Sequence, residues 1–157
     1  LVVAPHTSNW DYVIGKLIFY AYGISSHVLM KKELFFFPLG FFLKALGGIP
    51  LDRSRNENTV NKMIDLFKTK DEFILTITPE GSRKKSDNWK TGFYYIAKYA
   101  NVPVYLGYCN YEKKVVGING PFFFHQKLED SLNILNDFYK DKVPKFPENF
   151  SLHKMQV

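Results

Sequence analysis

Apolar and polar positions follow two rhythms along the chain. Residues 1–5 form an unbroken apolar run, the pattern of a buried strand. Over residues 9–22 apolar side chains return at helical spacing, at Trp10, Val13, Ile14, Leu17, Ile18 and Ala21, and Gly23 supplies the stop. Residues 27–30 read as a second short strand. Residues 34–46 are apolar nearly all round, flanked by Lys31, Lys32 and Lys44, and Pro38 suits the opening of a short helix. A helix of that kind is expected to be buried. Gly47-Gly48 ends it. Ile49-Pro50-Leu51 reads as extended, with Pro50 placing it at a sheet edge or strand start. A helix is predicted over 58–69, and 72–78 is the clearest buried strand. A helix over 91–100 and a strand over 102–109 follow. Residues 110–114 read as a turn and 115–118 as its hairpin partner. Gly120-Pro121 is predicted to break the chain. A last helix covers 128–139, and the tail after Val143 reads as irregular.

Strands alternating with helices predict an α/β fold: a layered, mostly parallel mixed sheet flanked by helices, with a late antiparallel hairpin. The 157 residues suit a single domain with a real core. Leu1 already stands in a strand-like run and is not an initiator Met, so the native N-terminus is expected to be missing. The longest apolar run, 34–43, is too short to span a bilayer and carries Pro38 and Gly40. Lysine and arginine total 21 against 15 acidic residues, a net charge of +6. Such a surface suits nucleic acid, anionic lipid or phosphorylated small molecules. No long basic run or nucleic-acid motif supports the first. The 15 Phe and 10 Tyr suit a membrane interface as well as a filled core. Cys109 is the single cysteine, which excludes an intrachain disulfide and fits a reducing compartment.

Candidate chemistry gathers where strands hand over to helices. His6-Thr7-Ser8-Asn9-Trp10-Asp11 links the first strand to the first helix. His6 and Asp11 would lie about 140° apart on one continuous helix, so they meet only if the chain turns between them. Ser8-Asn9 supplies that turn. A carboxylate that holds one imidazole nitrogen leaves the other free to take a proton. Ser8-x-x-Asp11 also fits a capping box, which would make Asp11 a helix cap and His6 an ordinary loop histidine. A metal site is disfavoured, because no further His or Cys cluster joins these two residues. Asp52-Arg53-Ser54-Arg55 and Pro79-Glu80-Gly81-Ser82-Arg83 also follow apolar runs. In an open α/β sheet such turns can converge on the edge where ligands bind. A base, a carboxylate and two arginines suit a phosphorylated substrate that must lose a hydroxyl proton. A guanidinium grips phosphate through two bonds and stays charged.

Through these residues the chain resembles the glycerolipid acyltransferase family, which includes the 1-acylglycerol-3-phosphate acyltransferases. Four ordered blocks carry the resemblance: His6 to Asp11; Gly48-Ile49-Pro50-Leu51-Asp52-Arg53; Pro79-Glu80-Gly81-Ser82-Arg83, with Ser82 where the family has Thr; and Val102-Pro103-Val104. The resemblance implies that His6 is the general base and that Asp11 orients its ring and stabilises its charge. It implies that Arg53 and Arg83 hold phosphate, with Glu80, Gly81 and Ser82 completing the substrate-binding block, and that Val102-Pro103-Val104 supports the site or the acyl path. The hydroxyl of a lysophosphatidic-acid-like acceptor would attack the thioester of acyl-CoA or acyl carrier protein directly, in phospholipid synthesis, with no resident cofactor or metal. The implied partners are that donor, a lysophospholipid-like acceptor and an anionic membrane surface, not nucleic acid. The implied location is the cytoplasmic side of a membrane, peripheral or anchored by a segment outside this sequence. Residues 34–46 could then dip into the bilayer interface or line an acyl tunnel.

Other readings stay open in the sequence. The acceptor could be another amphiphile such as a lyso-ornithine lipid. The domain could bind lipid or phosphate without catalysis, since fold does not fix function. His6 could activate water for thioester hydrolysis. Ser8 or Cys109 as an acylated nucleophile is disfavoured, since neither has a patterned base and Cys109 ends an apolar strand.

Overall fold

The computed structural model describes residues 1–52 and 56–154. Six strands form one sheet: β1 (Val2–Val3), β2 (His27–Lys31), β3 (Gly48–Leu51), β4 (Leu75–Ile77), β5 (Val104–Asn110) and β6 (Val115–Phe122). The helices are α1 (Asn9–Ala21), α2 (Leu39–Ala45), α3 (Asn56–Thr69), α4 (Gly92–Ala100) and α5 (Leu128–Tyr139). The strand order is β3-β2-β4-β1-β5-β6. All neighbours are parallel except the antiparallel pair β5–β6. The layered α/β fold with a late hairpin is therefore the one the alternating pattern predicts.

Right-handed crossovers fix the layers. The connections β1→β2 and β2→β3 step one way across the sheet, and β3→β4 and β4→β5 step the other. Hence α1 and α2 cover one face, while α3 and α4 cover the opposite one. The core lies on the α3/α4 side. Val3, Leu75 and Leu106 of the sheet meet Met63 and Ile64 of α3, Phe93 and Ile96 of α4, and Leu132 and Leu135 of α5. No residue of α1 or α2 belongs to that core among the described residues.

The helical spacing of α1 leaves its facing open. Trp10, Val13 and Leu17 are exposed, Ile14 and Ile18 are half-buried, and Phe19 is the buried residue of the helix. The half-buried Lys16 also turns inward: its Nζ donates to the backbone oxygen of Ser26 at 2.8 Å and to Ser26 Oγ at 3.2 Å. Two expectations need correction. First, residues 34–46 are not buried. Phe36, Phe37, Phe41, Phe42 and Leu46 stand open, and Gly40 is the buried residue of α2. A Cβ at Gly40 would lie 2.6 Å from the Phe35 carbonyl oxygen, so this helix seats itself through its one position without a side chain. Second, Gly120-Pro121 does not end β6. The strand runs through it with a register shift opposite Val104 and Leu106. An outermost strand tolerates proline because its other side needs no donor, and the extra residue is absorbed as a bulge. Pro50 likewise sits in the other edge strand, β3, as expected. Among the described residues, no helix is long and apolar enough to cross a membrane.

Candidate active site

The parallel strands deliver their C-terminal ends to one edge, and the polar blocks meet there. Ala4 N–H donates to the Ile77 carbonyl at 3.0 Å, which continues the β1–β4 pairing beyond the strands themselves. That register sets His6 beside Glu80. The His6 backbone N–H donates to Glu80 Oε1 at 3.1 Å. His6 Nδ1 lies 3.5 Å from Glu80 Oε2, near enough for an ion pair but without hydrogen-bond alignment. Glu80 is buried, at 6% exposure. Burial pushes its carboxyl above the usual range, and the contacts with His6 oppose that shift.

Beneath this pair Tyr139 of α5 is fully enclosed. Its hydroxyl faces the Val3 carbonyl at 2.8 Å and the Gly107 carbonyl at 3.0 Å, tying α5 to β1 and β5. Burial drives its phenol well above the ordinary value, with the Glu80 charge adding to the effect.

Asp11 is held differently from the sequence expectation. Its Oδ2 accepts the backbone N–H groups of Thr7 at 2.8 Å and Ser8 at 2.9 Å, and its Oδ1 accepts the Tyr111 hydroxyl at 2.5 Å. Ser8 Oγ accepts Trp10 N–H at 3.0 Å. The capping box weighed in the sequence is therefore formed. Among the described residues none of Asp11's hydrogen bonds goes to His6, whose neighbouring carboxylate is Glu80. Ser8 is spent as a buried cap. Cys109 is pushed up to about 11 by burial, with the Asp11 charge adding, which leaves it a thiol at neutral pH.

The remaining predicted residues fall as follows. Arg83 is exposed and its Nη1 donates to Asn9 Oδ1, which brings the Glu80-Gly81-Ser82-Arg83 block against the start of α1. Gly81 adopts φ +66, a conformation side chains disfavour, and its N–H closes a turn onto the Thr78 carbonyl at 3.1 Å. Ser82 is exposed, its hydroxyl turned to the Lys84 carbonyl at 3.3 Å. Arg53 lies outside the described residues, and the adjacent Asp52 pairs with Lys32 at 2.7 Å. Among the described residues no three His, Cys, Asp or Glu side chains gather as a metal site.

A cleft of about 470 Å³ opens beside these groups. One side is Thr7, Ser8, Asn9, Trp10 and Arg83; the other is Phe146, Glu148 and Asn149 from the C-terminal segment. That segment is not a loose tail. Phe146 N–H donates to Thr7 Oγ1 at 3.2 Å, and Tyr111 N–H to the Val143 carbonyl at 2.8 Å. His153 Nδ1 accepts Trp89 N–H at 2.9 Å, and the Trp89 indole donates to the Ser151 carbonyl at 3.1 Å. Lys145 Nζ stands 5.2 Å from the Trp10 ring centroid. Residues 143–154 thus strap across the site. Tyr111, Thr7 and Phe146 escape sequence reasoning; the one available signal is that Tyr111 follows the C-terminal end of a parallel strand.

A buried carboxylate beside an imidazole, next to an open cleft with a guanidinium in its wall, can take a proton from a bound hydroxyl and hold an anion nearby. Comparison with known proteins finds a family match. The family model described as Acyltransferase covers residues 1–106, that is, from β1 into the start of β5, with the His6 and Glu80 blocks. No curated protein and no solved structure matches the chain.

Proposed function

The chain belongs to the acyltransferase family, and from that premise we propose that it moves a fatty acyl group from a thioester to the hydroxyl of a lysophosphatidic-acid-like acceptor. His6 beside buried Glu80, next in the chain to Thr7 and Ser8 in the wall of the Arg83 cleft, is the observation that carries this reading. The ring turns Nδ1 toward Glu80 and keeps Nε2 for the acceptor. Nε2 takes the hydroxyl proton as the oxygen attacks the thioester carbonyl. The new C–O bond forms, the C–S bond breaks, and the thiolate of coenzyme A or acyl carrier protein leaves and is protonated. Asp11 keeps the His6–Trp10 turn in shape. Arg83 holds the acceptor's anionic group in the cleft; Arg53, the second phosphate ligand that the family resemblance implies, lies outside the described residues. Holding both reactants in place contributes through proximity.

Glu148 lines the same cleft as Arg83, which favours a second reading in which the acceptor also carries an amine, as an amino-acid-headed lysolipid does. Mass spectrometry of products from long-chain acyl-CoA tests both. Formation of the diacyl product from lysophosphatidic acid supports the first. Ester only on the amine-bearing amphiphile supports the second. Binding of either acceptor without any ester contradicts transfer and leaves a lipid-binding module. With lysophosphatidic acid, Arg83→Ala should raise KM roughly 10- to 100-fold with kcat little changed, the effect of losing a charge-assisted bond made equally in ground and transition states.

A further inference from the structure

We infer that the outer surface of α1 and residues 34–46 docks onto an anionic lipid bilayer, and that this sets the sheet edge carrying His6 at the lipid surface. On α1, Trp10, Val13, Leu17 and Tyr20 recur at i, i+3, i+7 and i+10, one continuous apolar stripe. It faces outward: Leu17 is 61% and Tyr20 84% exposed, while Lys16 turns inward to Ser26. In the same layer Phe37 is 91% and Phe41 72% exposed, flanked by open Phe36 and Phe42. At the usual area of such side chains this layer presents roughly 1,000 Å² of apolar surface, above the few hundred Å² typical of a monomer.

Charge identifies the occupant. The C-terminal ends of the parallel strands and the loops that leave them carry exposed Lys31, Arg83, Lys84, Lys85, Lys113 and Lys114. Of the acids on those loops, Asp52 and Asp87 are taken by Lys32 and Lys154, leaving Glu33 and Glu112 at the surface. Phenylalanines bordered by lysines match the apolar boundary and anionic headgroups of a bilayer. Two copies meeting through this face would bring their basic rims together, which opposes self-association. Phe36 and Phe37 follow β2, so they stand toward the edge where His6 follows β1. An amphiphilic acceptor could then keep its acyl chain in the bilayer while its hydroxyl reaches His6. This last link rests on the proposed transfer; the docking itself does not.

Flotation with phosphatidylcholine vesicles, with and without phosphatidylglycerol, tests it. The parent chain should float with the phosphatidylglycerol vesicles and release as salt rises. Phe37→Ser/Phe41→Ser removes only exposed rings, so its unfolding transition should match the parent while partitioning falls about 10-fold or more. Lys84→Glu/Lys85→Glu should weaken binding and flatten its salt dependence. The inference is overturned if the parent floats with neither vesicle, if the phenylalanine variant floats like the parent, or if the parent is a dimer that this variant makes monomeric. The phenylalanine variant should keep transfer to a short-chain water-soluble acceptor and lose it with a vesicle-embedded one. If the parent transfers to no acceptor, the transferase reading fails while flotation still decides the docking.

Discussion

Glu80 is a carboxylate enclosed by protein, and burial works against its charge. Its carboxyl titrates above the ordinary 4.5, so the protonated form is favoured by folding. By linkage, that contribution to stability is fully present below 4.5 and is lost as pH rises through the folded value. Replacing Glu80 with Gln removes the titration and keeps an oxygen for the His6 N–H. Thermal unfolding measured against pH should show Glu80→Gln gaining on the parent as pH rises above 4.5; parallel curves would contradict the burial argument. The same variant should lose activity, because the ring loses the charge beside Nδ1; the loss should stay below the roughly 10⁴-fold seen where a carboxylate hydrogen-bonds the imidazole directly. His6, Glu80 and Arg83 are legible in the sequence as blocks. Which carboxylate accompanies His6 is not. That depends on β1 lying beside β4, a pairing between residues 74 apart, whereas Asp11 is near in sequence and is consumed by the local turn.

At the scale of elements, hydrophobic periodicity finds α1, α3, α4 and α5 and leaves the facing of α1 open. A period reports that a helix has an apolar stripe, not what covers it. The inward Lys16 and the outward Trp10, Leu17 and Tyr20 invert the usual inference. The apolar run at 34–46 misleads for the same reason. Residues 143–154 show the opposite failure: without periodicity they still form a wall of the cleft, held by hydrogen bonds to Thr7, Trp89 and Tyr111 that no pattern announces. Burial lowers the affinity of His153 for a proton, and its Nδ1 must stay unprotonated to accept from Trp89. A lowered folded value gives stability that is present above the ordinary 6.5 and lost as pH falls through the folded value. The strap should therefore loosen on acidification. His153→Gln, which keeps an acceptor oxygen without titrating, should retain buried Trp89 fluorescence at mildly acid pH where the parent loses it. Equal loss in both proteins would place the acid sensitivity elsewhere.

For the molecule as a whole, the sheet is asymmetric. Its α3/α4/α5 side holds the core and supports the site from below, through Tyr139. Its α1/α2 side is thin and apolar outside. The family match ends at residue 106, yet Tyr111 and the strap beyond it touch the His6–Asp11 turn. Fold class and family chemistry could be read from ordered motifs because those motifs occupy strand ends, which topology brings together. The completed cleft could not, since its far wall returns from the other end of the chain. The most direct test is thiol release from long-chain acyl-CoA with and without lysophosphatidic acid, for the parent and His6→Ala. Release by the parent should depend on acceptor and fall about 10²–10⁴-fold in His6→Ala, the usual contribution of a general base. Acceptor-dependent release undiminished in His6→Ala would contradict the role of His6, and release without acceptor would make the protein a thioester hydrolase.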